Sequence, residues 1–276
     1  MVCENTVTEL RAQRPATDFW RSLAIQLRVI GAVTLREIVT RHGRNNIGFM
    51  WIFVEPMMFT VGVVSVWSLF HASEHNTPLV PFLVTGYGTV LMWRNTIGRA
   101  GESIRSNKPL MFHRNVRPID IFVASLLLEI GGATISFIAL SAFFTFVGMM
   151  DMPHDILKMI VGWFLLTWFS FAMGMIVGSL GVFSEIYLRV WHVFAYLFLP
   201  MCGAFSMLDW LPTRAQDWLL LVPTVSCVEL MRDGYFGEAV RTHYRLFYVL
   251  CADLGLLLLG LRLVMLAARE LEDGAV

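Results

Sequence analysis

The stretch Gly48–Phe70, GFMWIFVEPMMFTVGVVSVWSLF, is almost continuously apolar, and it decides the class of the fold. A helix of about 20 apolar residues crosses a hydrocarbon layer about 30 Å thick, so this stretch predicts a transmembrane helix. It also contains Glu55, which is followed directly by Pro56. A carboxylate at the centre of a bilayer costs about 3 kcal/mol on insertion scales, so Glu55 is expected to face protein, water or a basic partner. Pro56 removes a backbone donor and predicts a polar kink at this position.

The whole chain has the composition of a membrane protein. Of its 276 residues, 57% are hydrophobic and 15% are charged, which is too apolar for a water-soluble domain of ordinary proportions. We therefore predict an all-α membrane protein with a cytoplasmic N-terminal segment (1–46) and a transmembrane domain (47–276). The second of its predicted spans is expected to be short or bent, because it contains Pro and Gly. The six spans are Ile47–Phe70, Pro78–Ile97, Ile119–Met149, Ile156–Phe183, Val190–Leu208 and Leu246–Leu266.

Basic residues beside the spans predict the orientation of the chain. Seven arginines precede the first span, whereas the short loops 71–77 and 150–155 contain neither Lys nor Arg. Both termini are therefore expected to face the cytoplasm. A second basic group lies between the second and third spans and consists of Arg94, Arg99, Arg105, Lys108, Arg114 and Arg117.

Two further segments are predicted to be helical without spanning the membrane. Phe19–Arg44 alternates apolar and basic positions, which predicts an interfacial amphipathic helix in the cytoplasmic headgroup layer. The alternative for this segment is a soluble helix that packs on a partner. The outer segment 209–245 contains two short helices divided by Pro223, the first beginning at Thr213 and the second ending near Asp233. Each is too short to span, so we predict a periplasmic re-entrant helical hairpin buried among the spans.

Three runs of the sequence carry a resemblance to a known family. They are LREIVTRHGRNNIGFMWIFVEP (Leu35–Pro56), ESIRSNKPLMFHRNVRPIDIFVASLLLE (Glu102–Glu129) and VPTVSCVELMRDGYFGE (Val222–Glu238). In this order, and with six spans, the chain resembles ABC-2-type permeases of the capsular polysaccharide exporter family. The related O-antigen exporters share the layout, but the pattern of the middle run is closer to the capsule branch.

The resemblance implies a function and a set of partners. It implies the transmembrane subunit of an ATP-driven exporter in the bacterial inner membrane, which pairs with a second copy of itself and binds two cytoplasmic ABC ATPase subunits. The substrate would be a lipid-linked polysaccharide, handed on to a periplasmic adaptor and an outer-membrane export protein. The sequence has no G-x-x-x-x-G-K-[ST] phosphate loop, so ATP and Mg are expected on the partner ATPase and no cofactor on this chain. No nucleic acid is expected as a partner, and the chain itself is not expected to be an enzyme.

Aromatic residues on the first, second and fifth spans are candidates for the wall of the substrate channel. Sugar rings stack on aromatic faces through their C–H surfaces, although Trp and Tyr also gather at bilayer interfaces for other reasons. Glu55 belongs to the same candidate set, and its alternative role is to cap or pair and so fix the bend. The substrate-channel candidates are Trp51, Glu55, Phe59, Trp67, Tyr87, Trp93, Trp191 and Tyr196.

Charged residues supply three further candidate sets. Arg28, Arg36, Arg41 and Arg44 on the interfacial helix are expected to attract the phosphate of a lipid-linked substrate. Contact with the ATPase is expected in the loop 101–120, through an apolar knob ringed by charge; its residues are Ile104, Arg105, Lys108, Leu110, Phe112 and Arg114. The alternatives for this loop are an ordinary positive-inside segment and a coupling contact at the turn Ser184–Arg189. Glu229, Arg232 and Asp233 are expected near the periplasmic exit, where a purely structural network is the alternative.

Other readings of the chain remain open at this point. His71-Ala-Ser-Glu74-His75 matches a zinc peptidase pattern, but it lies in a short external loop and no metal site is expected. Gly174 and Gly178 fit a helix-packing motif that would serve either one subunit or a dimer. An ABC-2 permease for O-antigen or a teichoic-acid precursor would share this layout. A membrane-embedded enzyme is the alternative from a different class.

Overall fold

The computed structural model describes residues 17–42, 46–70, 77–107 and 117–273. Within these ranges the chain forms α-helices and short 3₁₀ turns, with no strand, which confirms the predicted all-α fold. The 3₁₀ turns are Leu199–Met201, Leu208–Trp210 and Gly237–Ala239. The α-helices are α1 Thr17–His42, α2 Asn46–Phe70, α3 Leu79–Ser106, α4 Pro118–Phe146, α5 Ile156–Phe183, α6 Glu185–Phe198, α7 Thr213–Leu219, α8 Pro223–Phe236 and α9 Leu246–Asp273.

Local capping chemistry explains where several helices begin. Pro118 opens α4, and the Asp120 carboxylate accepts a hydrogen bond from the Arg117 backbone N–H at 3.1 Å. Asp155 caps α5 by accepting from the backbone N–H groups of the second and third helical residues at 2.9 and 3.2 Å. The Ser184 hydroxyl caps α6 in the same way, so a single extended residue separates α5 from α6.

Helix α5 lies at the centre of the bundle and packs against α3, α8 and α9. Small residues on α5 allow this close approach. A Cβ added at Gly174 would lie 2.6 Å from Leu126 Cδ2 of α4, and one added at Gly178 would collide with the Phe122 ring and lie 3.0 Å from the Ala100 carbonyl of α3. The Gly174–Gly178 motif therefore serves packing within one subunit.

Three of the described helices are long and apolar enough to cross a membrane: α4, α5, and residues Leu246–Leu271 of α9. Helix α2 contains the shorter apolar stretch Met57–Leu69. Together with the helical fold, these segments make the chain an all-α membrane protein. The count of six spans remains a prediction, because α3 carries many polar residues and α6 has only 14 residues, about 21 Å of rise.

Two of the helices differ in extent from the predicted spans that they contain or overlap. The second span was expected to be short or bent and to end at Ile97, but α3 continues without a break to Ser106. Pro81 lies in its first turn, where proline is tolerated, and the residues beyond Ile97 pack against α4 and α5. The fifth helix was expected over Val190–Leu208, but it is α6 and ends at Phe198, before Pro200 and a positive φ of 78° at Gly203.

The outer hairpin forms as predicted. Helix α7 begins at Thr213, α8 begins at Pro223, and α8 ends at Phe236, close to the expected position. Almost every side chain of α8 is buried, because α3, α5 and α9 pack around it. Helix α8 is thus enclosed by the bundle, whereas α7 has no buried residue.

Helix α1 packs along α4 and α2 of its own chain. Its protein-facing side carries Val33 and Glu37, and the Gln26 amide donates to the Asp120 carboxylate at 3.0 Å. The opposite side leaves large apolar side chains exposed together with arginines. This arrangement agrees with a helix that lies on the membrane surface beside the bundle.

Candidate functional site

The candidate site is the polar face of α3. One side of this helix is buried in the core, with Trp93, Ile97 and Ile104 among its members. The other side is partly or fully exposed along the inner half of the helix, where it presents Arg94, Asn95, Gly98, Arg99 and Glu102. We call this second side the open face of α3. It lies between α4 and α6, because its residues contact both helices.

Arg94 is the first residue of the open face and lies near the middle of α3. Its Nη2 donates a hydrogen bond to the Tyr196 hydroxyl of α6 at 2.6 Å, and the guanidinium carbon lies 4.2 Å from the centroid of the same ring. Tyr196 is itself 57% exposed. Sequence reasoning used Arg94 only as one of the basic residues that set the orientation of the chain. The structure places it near the middle of α3, about 22 Å along the helix from Leu79 and about 18 Å before Ser106.

Arg99, further along the same face, has acidic partners. Its Nε lies 3.7 Å from Glu129 Oε1 of α4, and its Nη1 lies 3.9 Å from Glu102 Oε2 on the same helix. The intramembrane carboxylate at Glu129 thus faces a guanidinium, as the cost of an isolated charge in lipid requires.

Two of the predicted channel aromatics meet at the outer part of α3. Tyr87 and Trp67 both contact the Phe205 ring, at centroid distances of 6.2 and 6.0 Å. Phe205 lies in the irregular segment after α6 and was missed by sequence reasoning, since only the fold brings it to α2 and α3. Tyr87 is seven residues before Arg94, so both lie on the same side of α3.

Other channel candidates have different surroundings. Trp93 is only 1% exposed and packs edge-on against Trp191 and Phe198, at 6.4 and 5.6 Å between centroids. Its place in the expected channel wall is therefore wrong for this subunit, because the core encloses the ring. Trp191 is half-buried, and Phe59 is exposed on α2. The side chains of Trp51 and Glu55 lie outside the described residues.

The interfacial arginines are only partly described. Arg28 is exposed, and Arg36 donates from Nη1 to the Asn107 amide oxygen at 3.1 Å, which ties α1 to the end of α3. The Arg41 side chain and the whole of Arg44 lie outside the described residues, as does the loop from His71 to His75.

The predicted ATPase contact is corrected at one residue. Ile104 was expected in an exposed apolar knob, but it lies on α3, is 2% exposed and packs with Ile121, Phe122 and Val264. The Arg105 side chain, together with Lys108, Leu110, Phe112 and Arg114, lies outside the described residues. Beside the end of α3 is an open pocket of about 300 Å³, lined by Gly101, Ile104, Gly181, Val182, Phe183, Ser184, Glu185 and Leu271.

Two of the predicted exit residues, Glu229 and Arg232, form a buried node. Arg232 and Glu229 are both fully buried, and Arg232 Nη1 lies 3.9 Å from Glu229 Oε1. Arg232 donates to the backbone carbonyls of the segment after α6: from Nη1 to Gly203 at 2.7 Å and to Ser206 at 3.0 Å, and from Nη2 to Ala204 at 2.6 Å. Burial of this pair agrees with the alternative for these residues, a purely structural network.

The remaining contacts of this node join it to the rest of the bundle. The Arg232 guanidinium carbon lies 4.1 Å from the Phe82 ring centroid of α3. Glu229 accepts from the Leu208 and His243 backbone N–H groups at 3.3 and 3.2 Å. Burial lowers the pKa of Arg232 to about 10, so the guanidinium remains charged at neutral pH.

Asp233 has its own partners near the end of α8. Its Oδ2 accepts from Lys158 Nζ at 2.8 Å and from the Tyr244 hydroxyl at 3.1 Å. Lys158 was not a candidate in the sequence, since it stands alone at the start of α5. This contact fixes the end of α8 to the start of the central helix.

Comparisons with known proteins identify the relatives of the chain. No family model matches it. It is 41% identical over 257 residues to the capsule polysaccharide export inner-membrane protein CtrC of Neisseria meningitidis serogroup B, a match that covers 93% of this chain and 97% of that protein. It is 41% identical over 249 residues to BexB of Haemophilus influenzae, which has the same description, covering 90% and 94%. A more distant relative is the polysialic acid transport protein KpsM of Escherichia coli, 27% identical over 232 residues, covering 82% and 90%.

Proposed function

The chain belongs to the family of capsule polysaccharide export inner-membrane proteins, and from this premise we propose that it is the transmembrane subunit of an ATP-driven exporter. The exporter moves a lipid-linked capsular polysaccharide across the inner membrane. The channel for the glycan lies between two copies of the chain. Both termini face the cytoplasm, where two ATPase subunits bind.

The observation that carries this proposal is the open face of α3. It places Arg94, Asn95 and Arg99 along a helix that is otherwise packed into the core, and Tyr196 of α6 flanks it. Polar side chains at this depth are costly against lipid and are found where a helix lines water or another protein. A face of this kind, with tyrosine beside it, suits a path for hydroxyl-rich sugar rings. A second copy would close the side that one chain leaves open.

The cytoplasmic end of the bundle supports the proposed contact with an ATPase. The ends of α3 and α9 and the single-residue turn between α5 and α6 surround the pocket of about 300 Å³. A turn held this tightly transmits force as a unit, because Ser184 caps α6 directly after α5 ends. The pocket therefore supports the segment Ser184–Arg189 as a contact in addition to the predicted contact within residues 101–120.

The outer surface is where a periplasmic adaptor and an outer-membrane export protein would receive the glycan. Because Glu229 and Arg232 are buried, they would act only by shaping the segment 199–212. The exposed residues of α7, which include Arg214 and Trp218, are better placed for such contacts.

The proposal is tested with the chain purified together with its ATPase in lipid nanodiscs. ATP hydrolysis is measured with lipid-linked glycans of defined sugar composition and with the free lipid anchor. We expect stimulation by glycan on a lipid anchor and little by the anchor alone. Equal hydrolysis with and without every glycan, in a complex shown to contain both subunits, would contradict the proposal.

A further inference from the structure

The two arginines on the open face of α3 differ in how their charge is balanced. Arg99 lies within 4.0 Å of two carboxylates. Arg94 has no carboxylate at salt-bridge distance among the described side chains, and its partner is the neutral Tyr196. Glu102, an acid of α3 on this face, is eight residues further along, or about 12 Å of rise. Arg94 is therefore a cation on a predicted membrane helix that the described part of its own chain does not neutralise.

The geometry leaves Arg94 able to bind a further group. A guanidinium has five N–H donors in a planar fork, and the described contacts use one of them, directed to the Tyr196 hydroxyl. The ring of Tyr196 supports the guanidinium from one side at 4.2 Å, which limits the directions in which it can turn. The unused donors suit an oxyanion, because carboxylate and phosphate groups match the fork of arginine.

We propose that Arg94, positioned by Tyr196, binds an anionic group, a carboxylate or a phosphate, that belongs to the glycan chain itself. This inference rests on the proposed function, because it names the class of glycan that uses the same face. Tyr87 stands on the same side of α3, about 10 Å away by helical rise, and contacts Phe205. A sugar ring on this aromatic surface would bring its charged substituent to Arg94.

The test compares three lipid-linked oligosaccharides on one lipid phosphate anchor. The first carries uronic acids, the second is its carboxyl-reduced neutral counterpart, and the third is joined by phosphodiesters. Binding without ATP and stimulation of ATP hydrolysis are both measured on the complex with its ATPase. The variants are Arg94→Gln, Arg94→Lys and Tyr196→Phe. Arg241→Gln is the matched control, because Arg241 is exposed in the segment between the 3₁₀ turn Gly237–Ala239 and α9, away from the open face and from the proposed ATPase contacts.

We expect Arg94→Gln to raise the half-saturating concentration of at least one charged glycan about tenfold or more, and that of the neutral glycan less than about twofold. Arg94→Lys is expected to restore part of the loss, since it keeps the charge but not the fork. Tyr196→Phe should give a smaller loss of the same selectivity, and Arg241→Gln none.

Two results would overturn the inference. An equal loss for all three glycans would show that Arg94 binds the phosphate of the lipid anchor and not the glycan. No loss for any of them would show that Arg94 does not contact the substrate. Arg94→Gln is compared with the wild type for copurification of the ATPase and for melting temperature, so that a folding defect is recognised. Selective binding that depends on Arg94 without any stimulated hydrolysis would uphold the inference and contradict the proposed transport function.

Discussion

Replacement of Arg232 by lysine tests whether the buried node holds the outer half of the bundle together. Three hydrogen bonds from one guanidinium reach the Gly203, Ala204 and Ser206 carbonyls, at 2.6 to 3.0 Å. Lysine keeps the charge, but its ammonium is a point donor that does not reproduce a planar fork or lie flat over the Phe82 ring. At least two of the buried carbonyls would lose their partner.

The magnitude follows from these contacts. A hydrogen bond to a charged group contributes about 1.5–3 kcal/mol, and breaking a buried ion pair costs about 3–5 kcal/mol. Arg232→Lys keeps a cation beside Glu229, so the loss of stability should lie near the lower figure, about 3 kcal/mol. Arg232→Met removes the cation as well and should cost about 5 kcal/mol or prevent assembly.

The assay is thermal unfolding of the purified chain in detergent, followed by intrinsic fluorescence. For chains of about 150–250 residues, 1 kcal/mol shifts the midpoint by about 2–4 °C, so Arg232→Lys should lower it by about 6–12 °C. Arg214→Lys is the matched control, because Arg214 is exposed on α7, and it should shift the midpoint by no more than about 1–2 °C. A midpoint for Arg232→Lys within the range of this control would refute the view that the node is structural.

The remaining predictions concern the cytoplasmic surface and the helix packing. Changing Arg28 and Arg36 together to Gln should weaken glycolipid-stimulated ATP hydrolysis and reduce its salt sensitivity, since each basic residue near an anionic surface contributes about 1 kcal/mol; unchanged stimulation would limit both to anchoring. Phe112→Asp should leave membrane insertion normal and prevent the ATPase from copurifying, and normal copurification with normal export would place the contact elsewhere. Gly178→Ala should lower stability by about 1–3 kcal/mol because its Cβ meets packed atoms, whereas Gly131→Ala, with open space around its Cβ, should not; equal melting temperatures would refute the packing argument.

The apolar spans could be read from the sequence because their signal is local. Helices α4, α5 and α9 follow from long apolar runs, and Pro223 marks the start of α8 within the hairpin. The end of α3 could not be read in this way. Its last turns are rich in charge and resemble a loop, but Ala100 and Ile104 are buried against α4 and α5, and this tertiary packing keeps the segment helical.

The candidate site was predicted only in part, because its contacts join distant segments. The spacing of Glu229 and Arg232 correctly indicated a pair, yet sequence alone gave no sign that the carbonyls of residues 203–206 would enclose it. Tyr196 was chosen for its ring, whereas Arg94, which holds it, was taken as a determinant of topology. Helical spacing predicts contacts only between residues three or four positions apart, whereas Arg94 and Tyr196 are 102 positions apart in the sequence.

Arg94 and Arg99 of α3 and Arg232 of α8 illustrate why only one of the three suits a moving substrate. Arg232 is enclosed by backbone carbonyls and cannot exchange partners without opening the hairpin, and Arg99 would have to leave Glu129 and Glu102 to bind another anion. Arg94 can bind and release a charged sugar while Tyr196 keeps it in place. Movement through a channel requires sites that bind the moving group strongly enough for it to enter and weakly enough for it to leave. Arg94 beside the neutral Tyr196 ring meets both conditions. Its attraction for an anion is not reinforced by a second unpaired cation among the described residues of the open face, and its hydrogen bond to the Tyr196 hydroxyl can form again when the anion leaves.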